Sequence, residues 1–138
     1  AFSIAGNWNF GIVKIGGVWE RLDYDTPTGG LERDFWGISA TVPIGPGELF
    51  AHYGQAGDGK GSAANGTSVG QLTKGGGTGA SNYSISYTYA LSKRTLTYAG
   101  YVATANDSNA AYNFNINPYA VVNDANAQGF VMGVVHFF

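Results

Sequence analysis

Residues 128–138 read Gln-Gly-Phe-Val-Met-Gly-Val-Val-His-Phe-Phe. Counted back by twos from Phe138, one parity holds His136, Val134, Met132 and Phe130. The other holds Phe137, Val135, Gly133 and Val131. Successive side chains of a strand point to opposite faces, so this strand is apolar on both. Chain ends are ordinarily polar and frayed. Such a strand is expected where one face meets lipid and neighbouring strands hold the end.

Six more segments alternate with a period of two. They are expected at Phe2–Phe10, Ile12–Tyr24, Asp34–Ile44, Glu48–Gln55, about Tyr83–Leu91 and Thr95–Ala105. In the sixth, Leu96, Tyr98 and Val102 oppose Thr97, Ala99 and Tyr101, and the pattern does not orient it. Short turns are expected at Gly11, Gly45–Gly47 and Ser92–Arg94, where Gly and Pro supply turn dihedrals. The other connectors read as long polar loops: Asp25–Arg33, Ala56–Ala80 and Asn106–Ala127.

Strands of about ten residues, with short turns at one end and long loops at the other, are the pattern of outer-membrane barrels. The expected fold is therefore all-β, an antiparallel transmembrane β-barrel, with residues 1–138 in a single domain. Charged residues make up 12% of the chain and aromatics 14%, with 22 glycines. That suits such a barrel, and composition alone suits a soluble β-sandwich equally. The 138 residues contain no long apolar run, so no membrane-crossing helix is expected. With no Cys, disulfide and zinc-thiolate frameworks are excluded. A net charge of −2 gives no basic footprint for nucleic acid.

On the outward parity, aromatics cluster near strand ends. Phe10, Trp19, Trp36, Tyr53, Tyr83 and Tyr89 are the expected interface girdle, because such rings are apolar with a tip that prefers water. Arg21 shares that parity and is expected to snorkel. The inward parity is read as Ser, Thr, Asn, Gly, Lys and Glu, with Lys14, Glu20 and His52 as pore-lining candidates. Lumen charge tunes ion selectivity.

Other chemistry is weakly supported. Gly54–Lys60 nearly spells a phosphate-binding loop, but Gly61 stands where Ser or Thr belongs. It reads as a flexible external loop. Asp23 and Asp25 hint at a loop calcium site, and Pro27 stands where the next ligand would be. No nucleophile with paired carboxylates is evident, so neither an enzyme nor a cofactor is expected.

The segment 133–138, Gly-Val-Val-His-Phe-Phe, resembles the terminal signature of Gram-negative outer-membrane proteins. Tyr87-Thr-Tyr-Ala-Leu-Ser-Lys-Arg-Thr-Leu-Thr-Tyr98 resembles a hairpin of trimeric general porins of the proteobacterial type. Asn7–Gly11 and Val18–Asp23 resemble two further porin strands. The resemblance implies a water-filled channel for passive diffusion of ions and small hydrophilic solutes, and a homotrimer in the outer membrane among lipid and lipopolysaccharide. It also implies that the barrel assembly machinery reads Phe130, Met132, Val134, His136 and Phe138. Porins of this kind have sixteen strands and an inward-folded loop. Seven strands cannot close one, so the chain is expected to be the C-terminal part of a longer barrel. A small eight-stranded outer-membrane protein with a structural or adhesive role, and a soluble sandwich binding module, are the alternatives.

Overall fold

The computed structural model describes residues 1–114 and 121–138. Its strands are β1 (Phe2–Asn9), β2 (Lys14–Thr26), β3 (Gly29–Ile44), β4 (Gly47–Ala56), β5 (Ser68–Val69), β6 (Leu72–Thr73), β7 (Ala80–Ser92), β8 (Thr95–Asn106) and β9 (Ala127–His136). Among the described residues, seven of them form one antiparallel sheet in the order β1-β2-β3-β4-β7-β8-β9, and β5 and β6 make a separate hairpin. The sheet is open, with β1 and β9 as its edges.

The alternating segments became strands because each can bury neither face alone and each finds its sequence neighbour across a turn. At one end of the sheet the turns are tight. Gly11 takes φ 89°, which favours glycine, and its N–H donates to Asn9 Oδ1 at 2.9 Å. The turn after β7 is closed by Arg94 N–H donating to Ser92 Oγ at 3.2 Å.

The opposite end differs from expectation in two connectors. Asp25–Arg33 is not a loop: β2 runs to Thr26 and β3 starts at Gly29, leaving Pro27 and Thr28 to turn the chain. Thr26 Oγ1 donates to Gly29 O at 2.6 Å, which closes the hairpin locally. The polar composition of this stretch reflects a hairpin projecting beyond the apolar zone. The strict alternation of short and long connectors therefore fails at its first long member. Residues 57–79, expected to lack regular structure and to extend outward, carry the β5–β6 hairpin and pack back on the sheet. The third long connector, 107–126, is described in part, and residues 115–120 of it lie outside the described residues. The last strand ends at His136 rather than Phe138, although Phe137 N–H still donates to Arg94 O at 2.9 Å.

Register fixes the faces. Ile4, Trp19, Trp36, Ile38, Tyr53, Tyr83, Ile85, Tyr101, Phe130 and Met132 share one face of the sheet. Asn7, Lys14, Ser39, Thr41, His52, Asn82, Ser84 and Ser86 share the other. The sixth sequence segment, β8, is now oriented: Thr97, Ala99 and Tyr101 lie on the apolar face, and Leu96, Tyr98 and Val102 on the polar one. The polar face is less uniformly polar than expected, since Phe35, Phe50 and Tyr98 also lie on it. Tyr98 is accommodated by Gly133, where a Cβ would come within 2.6 Å of its hydroxyl.

Aromatic rings trace one oblique line across all seven strands: Phe2, Trp19, Trp36, Tyr53, Tyr83, Tyr101 and Phe130. Trp19 faces Trp36, Tyr53 faces Tyr83 and Tyr101 faces Phe130 directly. Between those pairs, and from Phe2 to Trp19, the line steps two residues toward the tight turns. Three such steps over six strand intervals make one residue per strand. With about 3.3 Å per residue and about 4.8 Å between strands, the line is inclined at about 35°. A level ring line thus means strands tilted by about 35°, as in barrels.

Among the described residues no compact core lies beneath this sheet. The hydrophobic cluster among the described residues consists of Leu31, Ala63 and Leu72, with Val69 packed against it. Ile38 is 51% exposed and Ile85 49%. The apolar face is thus unburied by protein, as a soluble sandwich would not leave it.

Candidate functional site

The polar face carries the groups that can meet solutes. Lys14, Glu20, Arg33 and Glu48 are the charged residues that the strand register places on it, two of each sign. Lys14 and Glu20 both lie on this face, Lys14 at the start of β2 and Glu20 six residues on at its middle, and so do not form one cluster. His52 also lies there. It stacks flat against Phe50 with centroids 6.5 Å apart, and its Nε2 donates to Asn82 Oδ1 at 3.0 Å. The imidazole is therefore held in place by neighbours on two strands.

Composition puts Arg33 in a loop, whereas the strand register places it on this face. The signal was present: extending the parity of Gly37 and Phe35 backward by two reaches it. Its Nη1 donates to Tyr112 Oη at 2.9 Å, and its guanidinium carbon lies 5.5 Å from the centre of the same ring. Its Nε is buried with no hydrogen-bond partner among the described residues.

The in-folded connector defines the space above this face. Beyond the end of β4, residues 57–63 continue the ladder along β3. Gly57 N–H donates to Asp34 O, Glu32 and Lys60 exchange backbone hydrogen bonds, and Ala63 N–H donates to Gly30 O. The chain then brings β5 and β6 over the polar face, where Leu72 packs on Leu31, 4% and 0% exposed. Asp58 fastens the root, its Oδ1 accepting from Thr78 N at 2.8 Å and Gly79 N at 2.9 Å. The following connector closes another side. Asn106, itself buried, donates to Tyr112 O at 2.9 Å and Ala125 O at 2.7 Å and accepts from Tyr112 N at 2.9 Å. Together these segments and the sheet enclose an open-mouthed concavity of about 650 Å³.

On the apolar face, one step beyond the ring line, Arg21 does not merely extend toward water. Its Nε donates to Asp34 Oδ1 at 2.7 Å, and Lys60 Nζ pairs with the other carboxylate oxygen. The guanidinium also sits 5.6 Å from the Trp19 ring centre. Lys60, the lysine of the near phosphate-loop motif, is thereby engaged with a carboxylate. Asp23 and Asp25 are strand residues opposite Glu32 and Gly30, not loop ligands. Among the described residues no group of three or more metal-ligating side chains occurs.

The remaining expected residues that lie within strands fall on the apolar face. Trp19, Trp36, Tyr53 and Tyr83 lie on the ring line, with Phe2, Tyr101 and Phe130 as members not anticipated there. Tyr89 lies six residues from Tyr83, toward the tight turns, and Phe10 follows Trp8 at that same end. Met132, Val134 and His136 follow Phe130 on one face of β9. His136 hydrogen-bonds Thr95 Oγ1 at 2.8 Å and meets the Phe138 ring edge-on at 4.9 Å.

A family model described as Gram-negative porin matches residues 1–109. An anion-selective porin from Comamonas acidovorans has a similar structure, with a TM-score of 0.77 and 21% identity. The match covers 99% of this chain and 38% of that one, so the chain spans about two-fifths of that porin's length. No curated protein matches.

Proposed function

This chain belongs to the Gram-negative porin family, and from that premise we propose that its sheet is one part of the wall of a water-filled outer-membrane channel. The channel passes ions and small hydrophilic solutes by passive diffusion, without covalent chemistry and without a cofactor. The observation that carries this reading is the segregation of faces: rings and aliphatics on one side of the registered strands, and on the other Ser, Asn, His, Lys and Glu, concentrated on β1 to β4 and β7. Strands in hydrocarbon must satisfy every backbone group, so the open edges at β1 and β9 require further strands. A closed barrel of about sixteen strands supplies them.

The apolar zone has the right height. Trp8, Tyr89 and His136 lie six residues from Phe2, Tyr83 and Phe130, and Phe10 and Phe138 lie two further on. Six to eight residues span about 20–26 Å of strand, or about 16–22 Å along the normal after a 35° tilt. That approaches the roughly 25 Å apolar band of outer-membrane barrels. The two lines are the interface girdles, and the Arg21–Asp34–Lys60 group projects toward lipopolysaccharide. Lys14, Glu20 and His52 line the lumen. Residues 1–138 are one part of a single barrel domain, assembled as a homotrimer. Phe130, Met132, Val134, His136 and Phe138 form the strand that the assembly machinery reads.

Planar-bilayer recording on the whole protein tests the reading. Stepwise, non-rectifying conductance is expected; a folded, inserted protein that gives none would refute the channel.

A further inference from the structure

We propose that the concavity beneath the in-folded connector is a binding site for monoanionic solutes that carry a flat apolar body, with Arg33 holding the anionic end. The inference rests on the channel reading for the traffic of such solutes past the site. Its basis is a mismatch of charge. Arg33 is the only charged side chain among the described residues lining the concavity. It makes no direct ion pair within the described residues, Glu20 standing diagonal to it on the same face without a salt bridge between them. A half-buried cation without an anion is costly, and a carboxylate is the partner its planar fork fits best.

The surroundings decide what the anion is attached to. Tyr112 accepts from the guanidinium and keeps its ring centre 5.5 Å from it, so the fork is oriented before any solute arrives. Phe35, Leu22 and Leu72 supply the walls nearby. They match a ring or short aliphatic body beside the guanidinium, while Gln71, Ser81, Ser84 and Thr104 line other parts of the concavity. The hydrogen-bonded His52–Asn82 pair offers polar atoms at another edge. A volume of about 650 Å³ suits one small ring compound with its water, within the usual range for such sites of roughly 300–1,000 Å³.

Benzoate is the probe, titrated calorimetrically into the whole protein in detergent, with acetate and benzyl alcohol as the charge-only and ring-only comparisons. Benzoate should bind at least about tenfold more tightly than either. Arg33→Gln should weaken it by about tenfold or more, the loss expected of a charge-assisted pair. Arg33→Lys, which keeps the charge but not the fork, should fall between, and Lys93→Gln at a tight turn should bind as wild type. Unchanged benzoate affinity in Arg33→Gln, or equal binding of benzyl alcohol, overturns the proposal. Calorimetry needs no conductance, so failure of this site and failure of the channel reading are told apart by the bilayer recording.

Discussion

Trp36 and Tyr53 bring their ring centroids to 5.5 Å although the register sets Gln55, not Tyr53, opposite Trp36. The contact is diagonal, and its diagonal sense is the strand tilt expressed in side chains. Such pairs contribute about 0.5–1.5 kcal/mol beyond their area. A double-mutant cycle on Trp36→Ala and Tyr53→Ala, read by urea unfolding from lipid vesicles, should return a coupling energy in that range. A coupling near zero would mean the rings meet lipid independently.

Charge placed on the two faces should give opposite results one residue apart. Ala40 lies on the apolar face between the two ring lines, and Ser39 beside it lies on the polar face. Ala40→Arg is expected to cost about 2–4 kcal/mol of folding stability in bilayers, as lipid-facing arginine near mid-depth does. Ser39→Arg should cost under about 1 kcal/mol and alter conductance instead. Equal costs at both positions would remove the assignment of faces.

Sequence made the sheet legible wherever alternation was unbroken. Trp36, Ile38 and Ala40 against Gly37, Ser39 and Thr41 left no doubt of parity, and a period of two needs no tertiary information. Strand length was not legible above the apolar zone. There β2 and β3 meet a polar connector rather than an apolar core, Leu31 alone being fully buried, so Asp25 to Arg33 carries loop composition while keeping strand geometry. That misplacement hid Arg33. The fold of 57–79 was hidden for a different reason. Its contacts, Leu72 on Leu31 and Gly57 on Asp34, join residues far apart in sequence, and its many glycines give no period to read. β8 could not be oriented because Tyr98 and Tyr101 are equally plausible on either face; the register with β9 and the empty space over Gly133 decide it.

Acid should act on the group outside the ring lines. The Arg21 and Lys60 cations hold the Asp34 carboxyl down at about 2, below its ordinary 3.8, chiefly by hydrogen bonds from Arg21 and then Lys60. Asp34 lies beyond the Trp19–Trp36 level and so outside the membrane-spanning part of β3. A carboxyl with a lowered folded pKa contributes stability that is full above its unfolded value and lost as pH falls through the folded one. The contribution should hold from pH 7 to 5 and disappear between about pH 4 and 2. Being exposed and screened, it is under about 1 kcal/mol. Asp34→Asn should lower the urea midpoint slightly at pH 6 and make no difference at pH 2, and it should flatten the salt dependence of unfolding. A full loss persisting at pH 2 would assign the effect to packing.

Selectivity should respond to Lys14 and Glu20 in opposite directions. Both lie on the polar face, with the positive and negative charges on that face in balance. Removing one lumen charge shifts the local potential toward the sign that remains. In a tenfold salt gradient, Lys14→Gln should move the reversal potential toward cation preference and Glu20→Gln toward anion preference, each by a few millivolts if the lumen is wide and screened over about 10 Å. No shift in either variant would mean that these groups do not face the conducting path.

The connector over the polar face should limit the current. Its apolar hold on the sheet is one small cluster, Leu72 and Ala63 on Leu31 with Val69 alongside, supplemented by hydrogen bonds of Ser62 with Gly30 and Thr67 with Thr28. Replacing Leu72 with Asn removes most of that apolar contact and buries an amide with no partner provided for it, a cost of about 2–4 kcal/mol. That exceeds what so small a cluster supplies, so the β5–β6 hairpin should lift from the polar face. The long strands do not use Leu72 in their register, and the barrel should stay folded. Single-channel conductance is then expected to rise with little change in the urea midpoint of the sheet. The flanking ladder of Gly57, Lys60 and Ala63 along β3 would remain, so the rise should be smaller than that produced by deleting residues 64–76. A variant that unfolds altogether would place Leu72 in the structural core of the barrel. A folded variant with unaltered conductance would place the hairpin away from the narrowest part of the path.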